Sequence, residues 1–551
     1  MTVILLAGVI AAILWAMFPR QALCYAELHY RFIPGASTLY RRIPEIYWDC
    51  PWRVTRGETL PLALIIKDAH RFPITVENIE ITVELADGRR SLEIGDHVMT
   101  DVDTPVLVRH PYYFTVMEIA LPDDIRGAIR IHPTIHATVG GRARTFGVSG
   151  HPSLSPEPLS VYVADDPLPT VDGWTYADTH CHSWHTSDQV EFGAPPELLT
   201  RMARAVGLRW VFITDHSFDL TVPPGRWFGE DPDGARWHTL EQEIKEANSA
   251  SGDITLIRGE EVSCGSVDGK NLHVLVYGVP ELIPGKGDAA KRWRVWQNRP
   301  DMSMGDVLEI VRRHGAMAFA SHPMNEPSLM ERTVLNRGAW QDADLHQDLD
   351  GWEIWNTDSV APFQKAREDW IRLLLQGSRK PVIAGSDAHG DFNRMRSINM
   401  PFVAVEECFR EAFGRPRTAL YTPEPTLPCV YDAMRAGRAV MTNGPFVTLS
   451  VEDEDGSRAE MGESVRPGGA VVRAQARSTE EFGELTRVTL YVGTVGGAEV
   501  PMALGENLGH EQDIARHVTL DEGSYLRVEA EARRGENDTR ACTNPIWVDA
   551  R

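Results

Sequence analysis

The sequence predicts a multidomain α/β plus all-β protein, in which a strand–helix domain is flanked by N-terminal and C-terminal β-sandwich domains. Three observations predict it. The chain has 551 residues, too many for one core, and roughly three domains is the expectation for that length. Residues 172–445 alternate short apolar runs with segments of helical period, the pattern of a parallel sheet or barrel. Residues 27–168 and 446–551 instead show period-two and β-branched runs between turn residues.

The N-terminal segment, residues 1–22, stands apart. Residues 3–18 are apolar and uncharged, and Pro19-Arg20 follows. The run is short for a bilayer, which takes about 20 residues, although flanking residues can complete it. It lacks the basic start of a signal peptide, and Leu23 before Cys24 does not fit a lipoprotein site. The segment is read as an uncleaved membrane anchor, in preference to a cleaved signal or a buried helix. Arg20, Arg31, Arg41 and Arg42 follow it and would count as cytoplasmic, but the side of the membrane stays open. The chain is therefore expected to be membrane-associated, or secreted or periplasmic if the segment is removed.

In residues 27–168, strands are expected over 60–66, 76–83 and 129–135, separated by Asp87-Gly88 and Gly140-Gly141. Asp165-Asp166-Pro167-Leu168-Pro169 reads as a linker. Seven strands are then expected to end near His180, Asp215, Glu261, Val276, His322, Glu353 and Asp387. Helices are expected over 196–206, 240–250, 304–313 and 363–375. The link between the third and fourth strands is too short for a helix, so the barrel should be irregular. After Gly444-Pro445, strands are expected over 470–476, 487–492 and 525–530.

The net charge is −23, which argues against a nucleic-acid partner, since phosphate backbones need a basic footprint. The seven cysteines are odd in number and show no Cys-x-x-Cys spacing, so no disulfide framework is read. With 43% apolar and 24% charged residues, the composition is that of a soluble globular protein. No feature reads out the oligomeric state.

Six of the seven strand ends carry His, Asp or Glu, and the seventh strand begins at His273. Imidazole and carboxylate are the ligands of Zn, Mn and Fe. In His180-x-His182 and Asp387-x-His389, residues two apart in a strand share a face and can reach one ion. Glu261 can bridge two ions, and His216, His273 and His322 can complete their shells. Glu260 should point away from its neighbour Glu261. Cys181 should point into packing, His314 lies on an expected helix, and Trp352 and Trp355 are expected in the core.

These stretches, Asp178-Thr179-His180-Cys181-His182, Thr214-Asp215-His216, Gly259-x-Glu261, His273, Ser321-His322-Pro323 and Gly385-Ser386-Asp387-Ala388-His389, resemble the polymerase and histidinol phosphatase (PHP) superfamily of metal-dependent phosphoesterases. Ala433-Met434-Arg435-Ala436-Gly437-Arg438, Thr442-Asn443-Gly444-Pro445 and Thr543-Asn544-Pro545-Ile546 resemble its carbaryl-hydrolase-like (CehA/McbA) branch. The resemblance implies a distorted (β/α)7 PHP barrel with two or three divalent ions. It assigns His180, His182, Glu261 and Asp387 to one ion, and His273 and His322, with Glu261 bridging, to a second. His216, His389 and an acidic residue would hold a third. Asp188 fits that last place with a one-residue insertion, and His185 is its rival.

A metal-bound hydroxide would then attack phosphorus or a carbonyl. Asp215 is a candidate proton shuttle or a partner that orients an imidazole. Arg394 is a candidate phosphate-binding group, as is Arg396, and a surface role for either is open. Glu353 and Asn356 are assigned to support the ligands or face the substrate. The leading reading is a phosphoesterase acting on a small phosphomonoester or phosphodiester. A carbamate, ester or amide hydrolase is the alternative. A non-catalytic metal-stabilised binding module is a further one.

Overall fold

The computed structural model describes residues 21–24, 42–85, 91–93, 98–100, 104–150, 157–186, 193–224, 230–231, 233–287, 299–329, 331–393, 397–400, 403–406 and 411–550. The apolar run 3–18 lies outside them, as do Arg20, Arg31 and Arg41. Among the described residues, no helix is long and apolar enough to cross a membrane.

The architecture is mixed α/β with a large β content. One mixed sheet carries the strand ends of interest: β1 (Trp174–Cys181), β2 (Trp210–Ile213), β3 (Thr255–Gly265), β4 (Asn271–Tyr277), β5 (Met317–Ala320), β6 (Gly351–Trp355) and β7 (Val382–Ala384). They lie side by side in sequence order. The longer intervening helices are α1 (Pro196–Val206), α2 (Ala235–Ser251), α3 (Met304–His314) and α4 (Val360–Leu375). Helix α1 starts with proline at its first turn and buries Leu198, Leu199, Met202 and Val206. It ends at Gly207, whose φ of 96° is open to glycine and strained for other residues. Ser303 and Asp306 form a reciprocal capping box at the start of α3.

The sheet is not all parallel. Residues 266–270 join β3 to β4, too short a link for a crossover, and β4 pairs antiparallel with both β3 and β5. Its first residues therefore sit level with the last residues of β3, as in the pair Ser263 and His273. That reversal explains how a histidine at the start of a strand joins groups at the ends of others.

The sheet curls until its edge strand β7, with the turn after it, meets β1. Thr179 Oγ1 donates to Ala384 O at 2.9 Å, Asp387 N to His180 O at 2.8 Å and His182 N to Ala388 O at 2.9 Å. On the other side of β1 the sheet continues through β8 (Arg417–Tyr421) and β9 (Ala439–Thr442) into the C-terminal strands Asn537–Thr543, Ser524–Arg534 and Glu484–Thr494. No break in hydrogen bonding separates these strands from the site-bearing ones.

A second C-terminal sheet, containing Phe446–Asp453 and Gly468–Arg477, shares a core with them through Leu449, Val472, Val488 and Val528. Toward the N-terminus, Thr59–Lys67 belongs to one sheet and Gly127–Val139 to another. Gly127–Val139 buries every second residue over most of its length, and the two sheets share a core through Leu60, Leu62, Ile129 and Ile131. Van der Waals packing and apolar burial stabilise both layers.

Candidate metal centre

The curled sheet brings four side chains from three strand ends to one point. His180 Nε2 and His182 Nε2 are 3.2 Å apart. Asp387 Oδ1 lies 3.1 Å from the first and 3.2 Å from the second. Glu261 Oε2 lies 3.5 Å and 3.4 Å from the same two atoms. A tetrahedral ion with bonds of about 2.0–2.1 Å holds its ligand atoms ~3.3–3.4 Å apart. The donor set therefore has the spacing of a coordination shell, and all four residues are buried.

Two further clusters adjoin it: His216 with Glu261 and His273, and His182 with His216 and His389. Glu261 is the hub. Its Oε2 lies 2.9 Å from His216 Nδ1, and its Oε1 lies 2.9 Å from His273 Nδ1 and 3.3 Å from His322 Nε2. Among the described residues Oε2 accepts no hydrogen bond, although it is fully buried. A buried carboxylate oxygen ringed by imidazole nitrogens without hydrogen-bond geometry is placed as a ligand atom. The rings crowd accordingly: His182 and His389 stack with centroids 4.0 Å apart.

Electrostatics divides the imidazoles. Burial pulls the pKa of His180 down, but Asp387, Glu353 and Glu261 outweigh it and hold that pKa well above the usual imidazole value. Burial, with His389 and His216 close by, holds His182 well below it. Burial also works against the charge on Glu261, yet His273, His216 and His180 keep its pKa well below the usual carboxylate range. The hub is thus anionic, and the two central imidazoles differ in their hold on a proton.

Glu353 orients His180. Its oxygens lie 2.9 and 3.1 Å from His180 Nδ1. A carboxylate only accepts, so Nδ1 carries a proton, and Nε2 is the nitrogen turned to the cluster, where an ion would take its lone pair. A Cβ on Gly385 would sit 2.6 Å from His180 Cβ and 2.7 Å from Glu353 Oε1, so only glycine lets this pair approach. Asn356 Nδ2 donates to Asp387 Oδ2 at 3.3 Å. His322 and Asp387 have φ values of 32° and 55°, strained for such residues and of a kind found at functional sites.

Asp215 is occupied differently from a proton shuttle. Its Oδ1 accepts from Ser183 N and Thr186 Oγ1, both at 2.7 Å, and its Oδ2 from Ser183 Oγ at 2.5 Å. Both oxygens hold the turn after His182, so the shuttle role has no support in this geometry. Glu260 points away from Glu261, toward Ser217 Oγ at 2.7 Å and Ile283 N, and burial raises its pKa to about 8. His185 Nε2 lies 3.0 Å from Glu243. Cys181 turns into packing against Phe212 O. Asp188, Arg394 and Arg396 lie outside the described residues.

Sequence reasoning gave no role to three groups, two of which it quoted within motifs. Asp178 accepts from Ser386 N and Oγ and from Gly414 N, and so ties β1 to the Asp387 turn; burial raises its pKa to about 6. Its place two residues before His180, in an Asp-x-His-x-His run, was an available signal. Ser321 Oγ donates to Glu261 Oε1 at 2.8 Å. Arg337 Nη2 lies 3.0 Å from His273 Nε2, and no motif surrounds it.

No family model matches the chain, and no curated protein matches it. Among solved structures, it is similar to a two-domain protein containing a predicted PHP-like metal-dependent phosphoesterase from Bacteroides vulgatus ATCC 8482. That similarity has 13% identity, covers 67% of this chain and 94% of the other, and has a TM-score of 0.34. The chain is also similar to a glycosyl hydrolase family 2 member from Bacteroides cellulosilyticus DSM 14838, at 10% identity, over 92% and 63% of the two chains, with a TM-score of 0.17. Likenesses this slight carry no argument about fold or chemistry, which rest on the residues themselves.

Proposed function

We propose that this chain is a metal-dependent hydrolase and that its substrate is a phosphoester. One observation carries the reading: four buried donor atoms from His180, His182, Glu261 and Asp387 stand at the mutual spacing of a coordination shell. Divalent ions bound there would supply an acidified water at neutral pH and a Lewis acid for the substrate oxygen.

The chain's own residues do the rest. Glu353 holds His180 in the tautomer that presents Nε2. Asn356 steadies Asp387, Ser321 steadies Glu261, and Asp215 fixes the turn that carries His182. His216 and His389 complete a further cluster with His182, for which Asp188 is the proposed acidic partner. The finer reading is a distorted PHP-type barrel of the CehA/McbA branch, with Zn, Mn or Fe as the ion and residues 3–18 as a tether.

The test is metal analysis of purified protein, paired with a screen of aryl phosphates, phosphodiesters and aryl carbamates. Two or more divalent ions per chain with phosphoester turnover are the expected result. Turnover of carbamates alone would move the substrate class to a carbonyl centre. Fewer than two ions with no hydrolysis would overturn the enzyme reading in favour of a binding module.

A further inference from the structure

We propose that Arg337 binds the anionic oxygens of the substrate, and that coordination of His273 releases it to do so. The inference rests on the hydrolase reading above and deepens it by making an anionic group the thing recognised.

Arg337 sits between β5 and β6, on a segment pinned to β4. Asn271 N donates to Asn336 O, and Gly338 N donates to Asn271 O, both at 3.0 Å. The Asn271 side chain donates to Leu335 O at 2.7 Å, and Lys270 Nζ to Asn336 Oδ1 at 2.7 Å. With its backbone held, the Arg337 side chain is 9% exposed and reaches the residue that contacts the Glu261 hub. Its Nη1 lies 3.3 Å from Glu331 Oε1.

The hydrogen bond to His273 has a fixed sense. A guanidinium has donors and no acceptor, so His273 Nε2 accepts and Nδ1 carries the ring proton toward Glu261 Oε1. This arrangement and metal ligation by His273 exclude each other. If His273 coordinates through Nε2, it uses the lone pair that Arg337 holds. If it coordinates through Nδ1, its proton moves to Nε2 and faces a group that only donates. Either way the contact ends, and a permanently charged guanidinium is left beside the centre. Its planar fork matches two oxygens of a phosphoryl group.

The test uses the full chain as wild type, Arg337→Met and Arg337→Lys. Mn2+ affinity is read by competition with a fluorescent chelator, and inorganic phosphate binding to the Mn2+-loaded protein by calorimetry. Arg337→Met is expected to bind Mn2+ more tightly, because its competitor for His273 is gone. It should bind phosphate more than about tenfold more weakly, as loss of a charge-assisted bond implies. Arg337→Lys should keep part of the phosphate affinity.

Opposite signs are the signature, since a merely structural role weakens both. Phosphate affinity unchanged in both variants, or a parallel loss of metal and phosphate, would overturn the role of Arg337 while leaving wild-type metal uptake intact. A wild type that takes up metal but binds no phosphate overturns it as well. A wild type that takes up none of Mn2+, Zn2+ and Fe2+ would overturn the hydrolase reading beneath it.

Discussion

Two buried charge clusters in this molecule look alike in composition and differ in what they are for. In the C-terminal strands, Arg527 pairs with Glu499 and Glu529, and Arg367 of α4 adds a second guanidinium to Glu529. Arg527 Nε donates to Glu499 Oε2 at 2.8 Å, as does Tyr525 Oη. In this cluster each carboxylate meets guanidinium N–H groups, so the charge is balanced in place. At the candidate metal centre, Glu261 and Asp387 meet imidazoles whose lone pairs converge, with two Nε2 atoms 3.2 Å apart. The first cluster closes on itself and the second converges on a point. Burial does not separate them; the direction of donors and lone pairs does.

The contrast is breakable, and the largest effect should come from the centre. His182→Ala or Asp387→Ala should lower hydrolysis by more than about 100-fold, the upper range for losing even an outer partner of a ligand. The circular dichroism spectrum should be retained. Full activity in either variant would end the assignment of the cluster as a metal site.

Breaking the other cluster should act on stability alone. Arg527→Met takes the guanidinium from the buried Glu499 carboxylate and leaves Glu529 with that of Arg367. It should destabilise the fold by ~3–5 kcal/mol, the cost of removing one partner from a buried pair. Turnover per folded molecule should stay at the wild-type level. Chemical denaturation alongside kinetics at low temperature reads both.

Chelation sharpens the same division. Divalent ion at about 100 times its dissociation constant should stabilise the wild type by ~2.7 kcal/mol. That gain should vanish with a chelator and be absent in His182→Ala. It should persist in Arg527→Met, as thermal melts with and without ion would show. Glu353→Gln should weaken metal affinity by about 10–100-fold; an unchanged affinity would remove its orienting role.

The smallest effect belongs to an exposed, self-balanced pair. Arg379, and then Ser464, hold the Asp549 carboxylate down to about 2. Because the folded pKa is lowered, the pair's contribution is present above the unfolded value of about 3.9. It is lost as pH falls through about 2. Asp549→Asn should cost less than about 1 kcal/mol at neutral pH. It should also flatten the acid limb of a melting-temperature profile between pH 4 and 2.

Much of this was legible in the chain. The four helices expected from apolar spacing form at their places, and each expected strand of residues 172–445 forms. Strand period alone made His180 and His182 a same-face pair and set Glu260 against Glu261. Those features are local, decided by repeat lengths of two and 3.6 residues.

What tertiary structure decided is long-range. The short 266–270 link excluded a helix, but only pairing shows β4 running backwards, which lifts His273 to the level of Ser263. The hydrogen-bonded continuity from β1 through β9 into the C-terminal strands crosses residue 445, where the sequence pattern suggested an edge. Asp215 reads in sequence as a proton shuttle or an imidazole partner, yet its oxygens serve Ser183 and Thr186. Arg337 carries no motif, and its partner is 64 residues away. Periodicity tells which way a side chain faces within its own element; which other group it meets depends on how the sheet curls, and no local repeat encodes that.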